Sequence, residues 1–497
     1  MTGTLAQLPA LQVVVPLIGA LVAAFFRRGV TAYVVALAVS WLMPVVSGLL
    51  LWQAMTTGPI SYHLGGWEPP WGIEYRIDIF NGLILMLIST VGAVIMPFAW
   101  RSVAAEIDED KQAWYYCMYL LCLTGLLGIA ATGDAFNAFV FLEISSLSTY
   151  VLIALGRDRR ALLAAFQYLI MGTIGATFYV IGIGLLYLNT GSLNIADIAS
   201  RLPGAFAVQP HAIFAALAFI SVGLGLKLAI FPLHLWLPNA YAYAPSVVTA
   251  FLAATSTKVA VYLLVRFAYG VFGTAIDFHT LPIDEFVMVL SLAAMFVAAF
   301  VAIFQTNVKR MLAYSSVSQI GYITLGIGMA NKAGLTGSIV HLVNHAMMKG
   351  ALFLALGAVV FRINSVKIDE LAGIGRRMPL TMTAFTVAGF GLIGTPGTVG
   401  FISKWYLVIG ALDRDGWLLV FLIVASSLLS LIYVGRLMEV IWFRDTGPAA
   451  ARASDPPLDM LVPTLLLGAA VIWFGIDTTW TAGIAERAAV MLLGARG

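Results

Sequence analysis

Residues Ser221–Tyr262 read SVGLGLKLAIFPLHLWLPNAYAYAPSVVTAFLAATSTKVAVY. Two lysines, Lys227 and Lys258, stand in flanks apolar enough for lipid, and between them lie His234 and three prolines, Pro232, Pro238 and Pro245. A charged side chain at the centre of a bilayer costs about 2.5–3.5 kcal/mol on insertion scales. A chain that places two there uses them, so ion movement is the first function the stretch points to.

The rest of the chain supplies the setting. Of 497 residues, 61% are hydrophobic and only 10% charged, and apolar runs near the length of a bilayer crossing recur throughout. This composition predicts an all-α polytopic membrane protein embedded in the lipid bilayer. A net charge of +3, spread over short loops, leaves no basic patch to follow phosphates, which excludes a nucleic-acid partner. Cys117 and Cys122 lie on one predicted helix and are directed too differently for a disulfide. The first apolar run ends in Arg27 and Arg28 and another follows at once, a pattern unlike a cleaved signal peptide.

Hydropathy predicts fourteen spans, at about 8–26, 31–54, 79–99, 114–132, 135–155, 161–188, 211–231, 246–270, 284–304, 308–329, 335–360, 379–410, 416–442 and 458–480. With the N-terminus outside, the outer loops carry only Arg76, Arg201, Lys332 and Arg414, with Arg487 and Arg496 in the tail. The inner loops hold the other loop cations, among them Arg101, Arg157, Lys309 and Arg310. The positive-inside bias therefore predicts a multi-pass protein of a bacterial cell membrane with both termini outside. Lys227, Lys258, Arg266, Lys349 and Lys404 remain inside spans, and Glu143 is the carboxylate expected near mid-membrane. Arg266 and Glu439, near span ends, read as snorkelling side chains or satisfied core groups. Lys227, Lys258 and Lys404 have no short way out, which favours a functional role.

Repetition is the second signal. EISSLSTY at 143–150 and AYSSVSQIGY at 313–322 set two SSxS runs 170 residues apart, and Lys227 and Lys404 are 177 apart. These offsets predict two related five-helix units, and an odd number of spans inverts the second against the first. The organisation expected is a three-helix segment over 1–110, repeats over 111–275 and 280–445, and a C-terminal helix and tail over 446–497.

Both units contain interrupted helices. Each proline removes an N–H and clashes with the preceding turn, so the chain must break after Lys227, at Pro232. Gly391, Gly394, Pro396, Gly397 and Gly400 predict a second break just before Lys404. Gly389, Gly391 and Gly394 also satisfy GxGxxG, but they follow a helix and not a strand, which argues against a dinucleotide site. His341, His345 and Lys349, spaced i, i+4, i+8 with Asn344 beside them, form a polar stripe on one helix. No carboxylate or cysteine completes a metal site with the HxxxH pair, and a proton wire is the better reading. Neither a metal nor another cofactor is expected.

GLKLAIFPLHLWLPNAYAYAPSVVTAFLAATSTKVAVY, KRMLAYSSVSQIGY, HLVNHAMMKGALF and GTPGTVGFISKW resemble the signature segments of the antiporter-like family shared by Mrp-type cation/proton antiporters and respiratory complex I. The resemblance implies fourteen helices with inverted five-helix repeats. It also implies a proton axis: Glu143 and Lys227 as a modulating pair, Lys258 as the central lysine, His341 and His345 as bridging histidines, and Lys404 as the terminal carrier. His234 matches the histidine of the HxW segment. LPNAY, with Asn239 and Tyr241, replaces the LPDAH common in complex I relatives, Tyr243 stands where a glutamate is frequent, and Gln167 replaces a lysine. These departures, and a lysine at 404, resemble the D-type branch of the Mrp antiporters. Together they imply the proton-carrying subunit of a multisubunit Na+/H+ antiporter, with Na+ carried by a partner membrane subunit and H+ by this chain. The alternative is a pumping subunit of a complex I-like or hydrogenase-type redox complex. In either case the chain itself is a transporter part and not an enzyme, since it holds no cysteine or haem motif for an electron carrier.

Overall fold

A computed structural model describes residues 4–26, 28–276 and 282–494. Arg27 and Arg496, two of the cations outside the spans, lie outside the described residues. The helices are α1 Leu8–Phe25, α2 Gly29–Thr57, α3 Ile79–Glu106, α4 Gln112–Ala131, α5 Ala135–Ala154, α6 Arg159–Thr190, α7 Ile195–Val208, α8 Pro210–Leu228 and α9 Trp236–Tyr243. They continue as α10 Ser246–Gly270, α11 Ile283–Ile303, α12 Val308–Gly328, α13 Lys332–Ile363, α14 Pro379–Ile393, α15 Val399–Leu412, α16 Trp417–Met438, α17 Leu458–Ile476 and α18 Thr479–Gly494. Twelve described helices are long and apolar enough to cross a membrane. The more polar α12 and the broken α14–α15 pair complete fourteen crossings.

Local chemistry sets many of the boundaries. Asp78, Asp134, Asn194, Asn307 and Asn331 stand just before helices and accept hydrogen bonds from backbone N–H groups of the first turn. Pro210 and Pro379 open α8 and α14, where a missing N–H costs nothing. Three features escaped the hydropathy reading. A short hairpin pairs Ile60–His63 with Glu74–Ile77, and α7 and α18 are too short to span and bury one side each, through Ile195, Ile198 and Leu202 and through Ala485, Ala488 and Leu492.

The repeat is written in the backbone. Ala135 N donates to Leu193 O at 2.8 Å and Ile195 N to Gly133 O at 2.9 Å; 173 residues later Val308 N donates to Val366 O at 2.9 Å and Ile368 N to Thr306 O at 3.0 Å. The helices between these bridges, α6 and α13, are both 32 residues long. Thr132 and Ile195 line a cavity with Asp78 at the start of α3, whereas Asn307 and Lys367 line one with Glu106 at its end. At 1.5 Å per residue α3 is about 42 Å long, so the two bridges lie on opposite membrane faces and the second unit is inverted.

The backbone register matches neither of the two sequence offsets. A shift of 173 places Ser145 opposite Ser318, so the SSxS runs are one turn out of step. At the breaks, Ala229 N donates to Leu226 O and Ile230 N to Gly225 O, and the same pair recurs 165 residues on, from Gly394 N to Gly391 O and Thr395 N to Phe390 O. Lys227 therefore stands opposite Leu392, and Lys404 lies on the far side of its break. The offsets of 170 and 177 mark related units without pairing equivalent residues.

Burial ranks the helices. The apolar window of α10 is 89% buried and that of α13 is 78% buried, against 28% for α16. The helices that carry Lys258 and the two histidines belong, with α3 and α4, to the buried centre of the molecule.

Candidate functional site

Lys227 lies in the last turn of α8, which closes on Ala229 in the left-handed region at φ 60°. The turn aims the side chain at α5, where Nζ donates to Ser146 Oγ and lies 3.6 Å from Glu143 Oε1. The lysine side chain is 5% exposed and that of Glu143 26%, so one member of the pair is enclosed and the other reaches the protein's rim at mid-depth. A cavity of about 20 Å³, the size of one water molecule, touches Ser146, Thr149, Tyr168, Lys227 and Ser256. It joins the pair to α10.

Lys258 sits near the midpoint of α10, 1% exposed, and donates to Ala253 O and, at 3.3 Å, to Thr257 Oγ1. No carboxylate lies within ion-pair distance of it among the described residues. Its helix α10 packs against α13, which carries both histidines. His341 and His345 are wholly buried with near-parallel rings 6.1 Å apart, as the i, i+4 spacing requires. His341 Nδ1 is 2.7 Å from Ser403 Oγ, one residue before Lys404. Lys349, the third member of the stripe, is tied to α12 through Leu312 O at 2.8 Å and Ser315 Oγ.

Lys404 lies just beyond the break at Pro396. Its Nζ donates to Leu392 O at 3.0 Å, Ile393 O at 2.8 Å and Ser427 Oγ at 2.9 Å, and stands 4.6 Å from the centre of the Tyr322 ring. Asn344 Nδ2 holds the start of α15 through Val399 O at 2.6 Å. Glu143, Lys227, Lys258, His345, His341 and Lys404 thus come together as one row. An ammonium, an imidazole or a hydroxyl stands at each step, which is the chemistry that hands a proton along.

The auxiliary residues divide. Pro232 lies in the gap between α8 and α9, and His234 in the same gap packs on Phe231 and faces Tyr314. Asn239 Nδ2 donates to Gln167 Oε1 at 3.0 Å, and Tyr241 Oη to Leu252 O at 3.3 Å. No hydrogen bond links His234, Asn239 or Tyr241 to a lysine of the row among the described residues. Arg266 is a satisfied core group and does not snorkel: it pairs with Asp78 at 2.8 Å, the two side chains 15% and 7% exposed. The partner Asp78 comes from α3, far away in the chain, so spacing within the span held no sign of it. Glu439 forms an exposed pair with Arg444.

Sequence reading overlooked the hydroxyl partners Ser146, Ser403, Ser427 and Tyr322. The first SSxS run holds Ser146 and the second quoted segment ends at Tyr322, both read only as a repeat; Ser403 and Ser427 lie in neither. It also missed Gln319, fully buried on α12 between Ser315 and Tyr322, with neither amide atom hydrogen-bonded.

The sequence pattern of the family described as NADH:quinone oxidoreductase/Mrp antiporter, TM, matches residues 132–430, which include every member of the row. The chain belongs to this family. Within the family's reach, it is 41% identical over 491 residues to the N subunit of NADH-quinone oxidoreductase from Desulforudis audaxviator (strain MP104C), covering 95% of this chain and 96% of that protein. It is 27% identical over 485 residues to the D component of the Na(+)/H(+) antiporter from Bacillus subtilis (strain 168), covering 97% and 96%. A chain of the Mrp complex from Dietzia sp. DQ12-45-1b superposes with a TM-score of 0.89 at 26% identity over 100% of both chains. Family membership agrees with the resemblance drawn from the signature segments, and the relatives are named both as antiporter and as oxidoreductase subunits.

Proposed function

We propose that this chain is the proton-translocating subunit of a multisubunit Na+/H+ antiporter of the bacterial cell membrane, with both termini on the outer side. The observation that carries the reading is the buried row itself, which begins at the Glu143–Lys227 ion pair and ends at Lys404. At 3.6 Å and an effective dielectric of about 20, that pair is worth about 4–5 kcal/mol, and doubling the separation halves it. The change of about 2 kcal/mol redistributes charge in the row about thirtyfold. While the pair is closed, Glu143 holds the Lys227 charge; when it opens, the Lys227 ammonium repels that of Lys258 and drives a proton onto His345, His341 and then Lys404. Glu143, a quarter exposed at mid-depth, supports a neighbouring membrane subunit against α5, and the antiporter relatives support a partner that carries Na+.

The test is Na+-driven dissipation of a pH gradient in everted vesicles that contain the whole complex. Glu143→Ala and Lys258→Ala are expected to slow it by at least about tenfold, a loss of about 1.4 kcal/mol or more, with assembly intact. Full exchange in both variants would overturn the assignment. A second reading, a pumping subunit of a redox complex, is favoured by the 41% identity to an oxidoreductase subunit. Co-purification with flavin and iron–sulfur subunits, instead of small membrane subunits, selects it.

A further inference from the structure

The buried lysines share a habit. Lys258 donates to Ala253 O of its own helix, Lys349 to Leu312 O at 2.8 Å, Lys309 to Ala244 O at 3.1 Å, and Lys404 to two carbonyls at the end of α14. Each ammonium rests on a backbone carbonyl, and the last carbonyls of a helix, where the dipole is negative, suit a lysine best. Lys227 is the exception. It lies in the last turn of α8, beside such an end, yet its hydrogen bond is to Ser146 Oγ and its ion pair to Glu143. No backbone carbonyl accepts from it among the described residues.

The carbonyl next to it is already occupied. Leu226 O accepts from the indole Nε1 of Trp236, the first residue of α9, at 2.9 Å and from Ala229 N at 3.3 Å. In the second unit Lys404 itself meets the helix end, at Leu392 O and Ile393 O. By the 165-residue shift of the breaks, these correspond to the carbonyls of Lys227 and Leu228, adjoining the one that Trp236 holds.

The indole is fixed by the helices that face the lysine. Its ring lies flat on that of Tyr168 of α6, 3.8 Å between centres and 3° from parallel, and Tyr168 meets Tyr150 of α5 edge-on at 4.8 Å. Tyr150 follows Glu143 by two turns and shares its face of α5. Trp236 is 3% exposed, so water does not compete for its N–H. The donor at the end of α8 is thus anchored to the helix that carries Glu143 and Ser146. We propose that Trp236 is a positioning residue for the Glu143–Lys227 pair: its N–H satisfies the end of α8 and leaves the ammonium of Lys227 to α5. A tryptophan that only packed α9 on α6 would leave Lys227 in place after losing its N–H, with a water on Leu226 O.

The consequence for transport rests on the proton-translocation reading above; the placing of Lys227 does not, and the test separates the two. Trp236→Phe keeps a ring against Tyr168 and deletes the donor. In an electron-microscopy structure of the assembled complex, Lys227 Nζ of this variant is expected to leave Ser146 and to lie within about 3.2 Å of a carbonyl at the end of α8. Exchange is expected to fall about fivefold, and adding Ser146→Ala to cost nothing further, since the ammonium has already left that hydroxyl. Independent roles would multiply to about 25-fold. Lys227 still on Ser146 in the variant, or losses that multiply, overturn the proposal. If Trp236→Phe does not assemble, the tryptophan isostere with sulfur in place of N–H, introduced at 236 alone, keeps the shape and gives the same two readings. Lys227 moved as expected, with no ion exchange by the wild type, would retain the role of Trp236 and sink the antiport reading.

Discussion

Lys404 Nζ donates to the carbonyl of Leu392 at 3.0 Å, and Leu392 occupies in the second unit the place that Lys227 holds in the first. The two broken helices thus use their lysines differently. In the first unit the carbonyl end of α8 is met by a neutral donor, Trp236 Nε1, at 2.9 Å from Leu226 O, and Lys227 turns away to Glu143. In the second the lysine itself meets the carbonyl end of α14, where the helix dipole favours a cation. Lys404 needs no carboxylate there, and none lies within ion-pair distance among the described residues.

Lys404→Gln should therefore cost stability as well as transport. It leaves the Leu392 and Ile393 carbonyls short of a charged donor, a loss of about 1–3 kcal/mol, and Lys404→Arg should restore much of that without restoring exchange. Thermal unfolding of the purified complex checks it; equal melting of wild type and Lys404→Gln would refute the capping role.

Ser146 and Ser145 are neighbours with different duties. Ser146 Oγ accepts from Lys227 and donates to Leu142 O, whereas the hydrogen bond of Ser145 Oγ is to Leu142 O alone. Ser146→Ala is expected to slow exchange about fivefold, the effect of one hydrogen bond of about 1 kcal/mol, and Ser145→Ala to leave it near the wild-type rate. Initial rates in vesicles at matched expression distinguish them, and identical effects would contradict the assignment.

Helices α6 and α8 pack through glycine. A Cβ on Gly223 would lie 2.6 Å from Gly175 O and 2.7 Å from Tyr179 N, backbone atoms that cannot swing aside, while one on Gly184 of the same α6 meets nothing within 4 Å. Gly223→Ala is expected to destabilise the protein by about 1–3 kcal/mol, and Gly184→Ala to be neutral or to stabilise it by about 0.5–1 kcal/mol. Yield of folded protein after a heat step reads both.

Asp108, in the loop between α3 and α4, accepts hydrogen bonds from Lys111 and then Arg157, which hold its carboxyl below the usual carboxylate range. A depressed folded value means the link contributes at any pH above about 3.9, the unfolded value, and is lost only as pH falls through the folded one. Hydrogen exchange of the 155–158 loop should accordingly be flat from about pH 8 to 5 after correction for intrinsic rates. A rise within that range would show that the link titrates elsewhere.

Much of the architecture was legible because its causes are local. Apolar length marks a crossing, and clustered prolines or glycines mark the two breaks, at Ala229 and Gly394, whereas the single prolines Pro16, Pro44, Pro97, Pro203 and Pro463 lie within helices. The same holds for the ionisable residues of the row: a charge such as Lys258, flanked on both sides by apolar turns, is conspicuous in one dimension. Arg266 shows the limit, since a span-end arginine reads either as snorkelling or as a satisfied core group until the start of α3 brings Asp78 beside it.

Length, hydropathy and the breakers settled how many times the chain crosses, where it interrupts its helices and which residues carry charge into lipid, since each depends on a few neighbours along the backbone. Tertiary packing decided which hydroxyl or carbonyl each charge meets, that Lys227 and Lys404 are not counterparts, and that Arg266 pairs with Asp78. Those relations join residues as distant as Asp78 and Arg266, and hydrogen bonds act over about 3 Å. A shift of one helical turn, about 5.4 Å, exchanges every partner while leaving the hydropathy pattern almost unchanged.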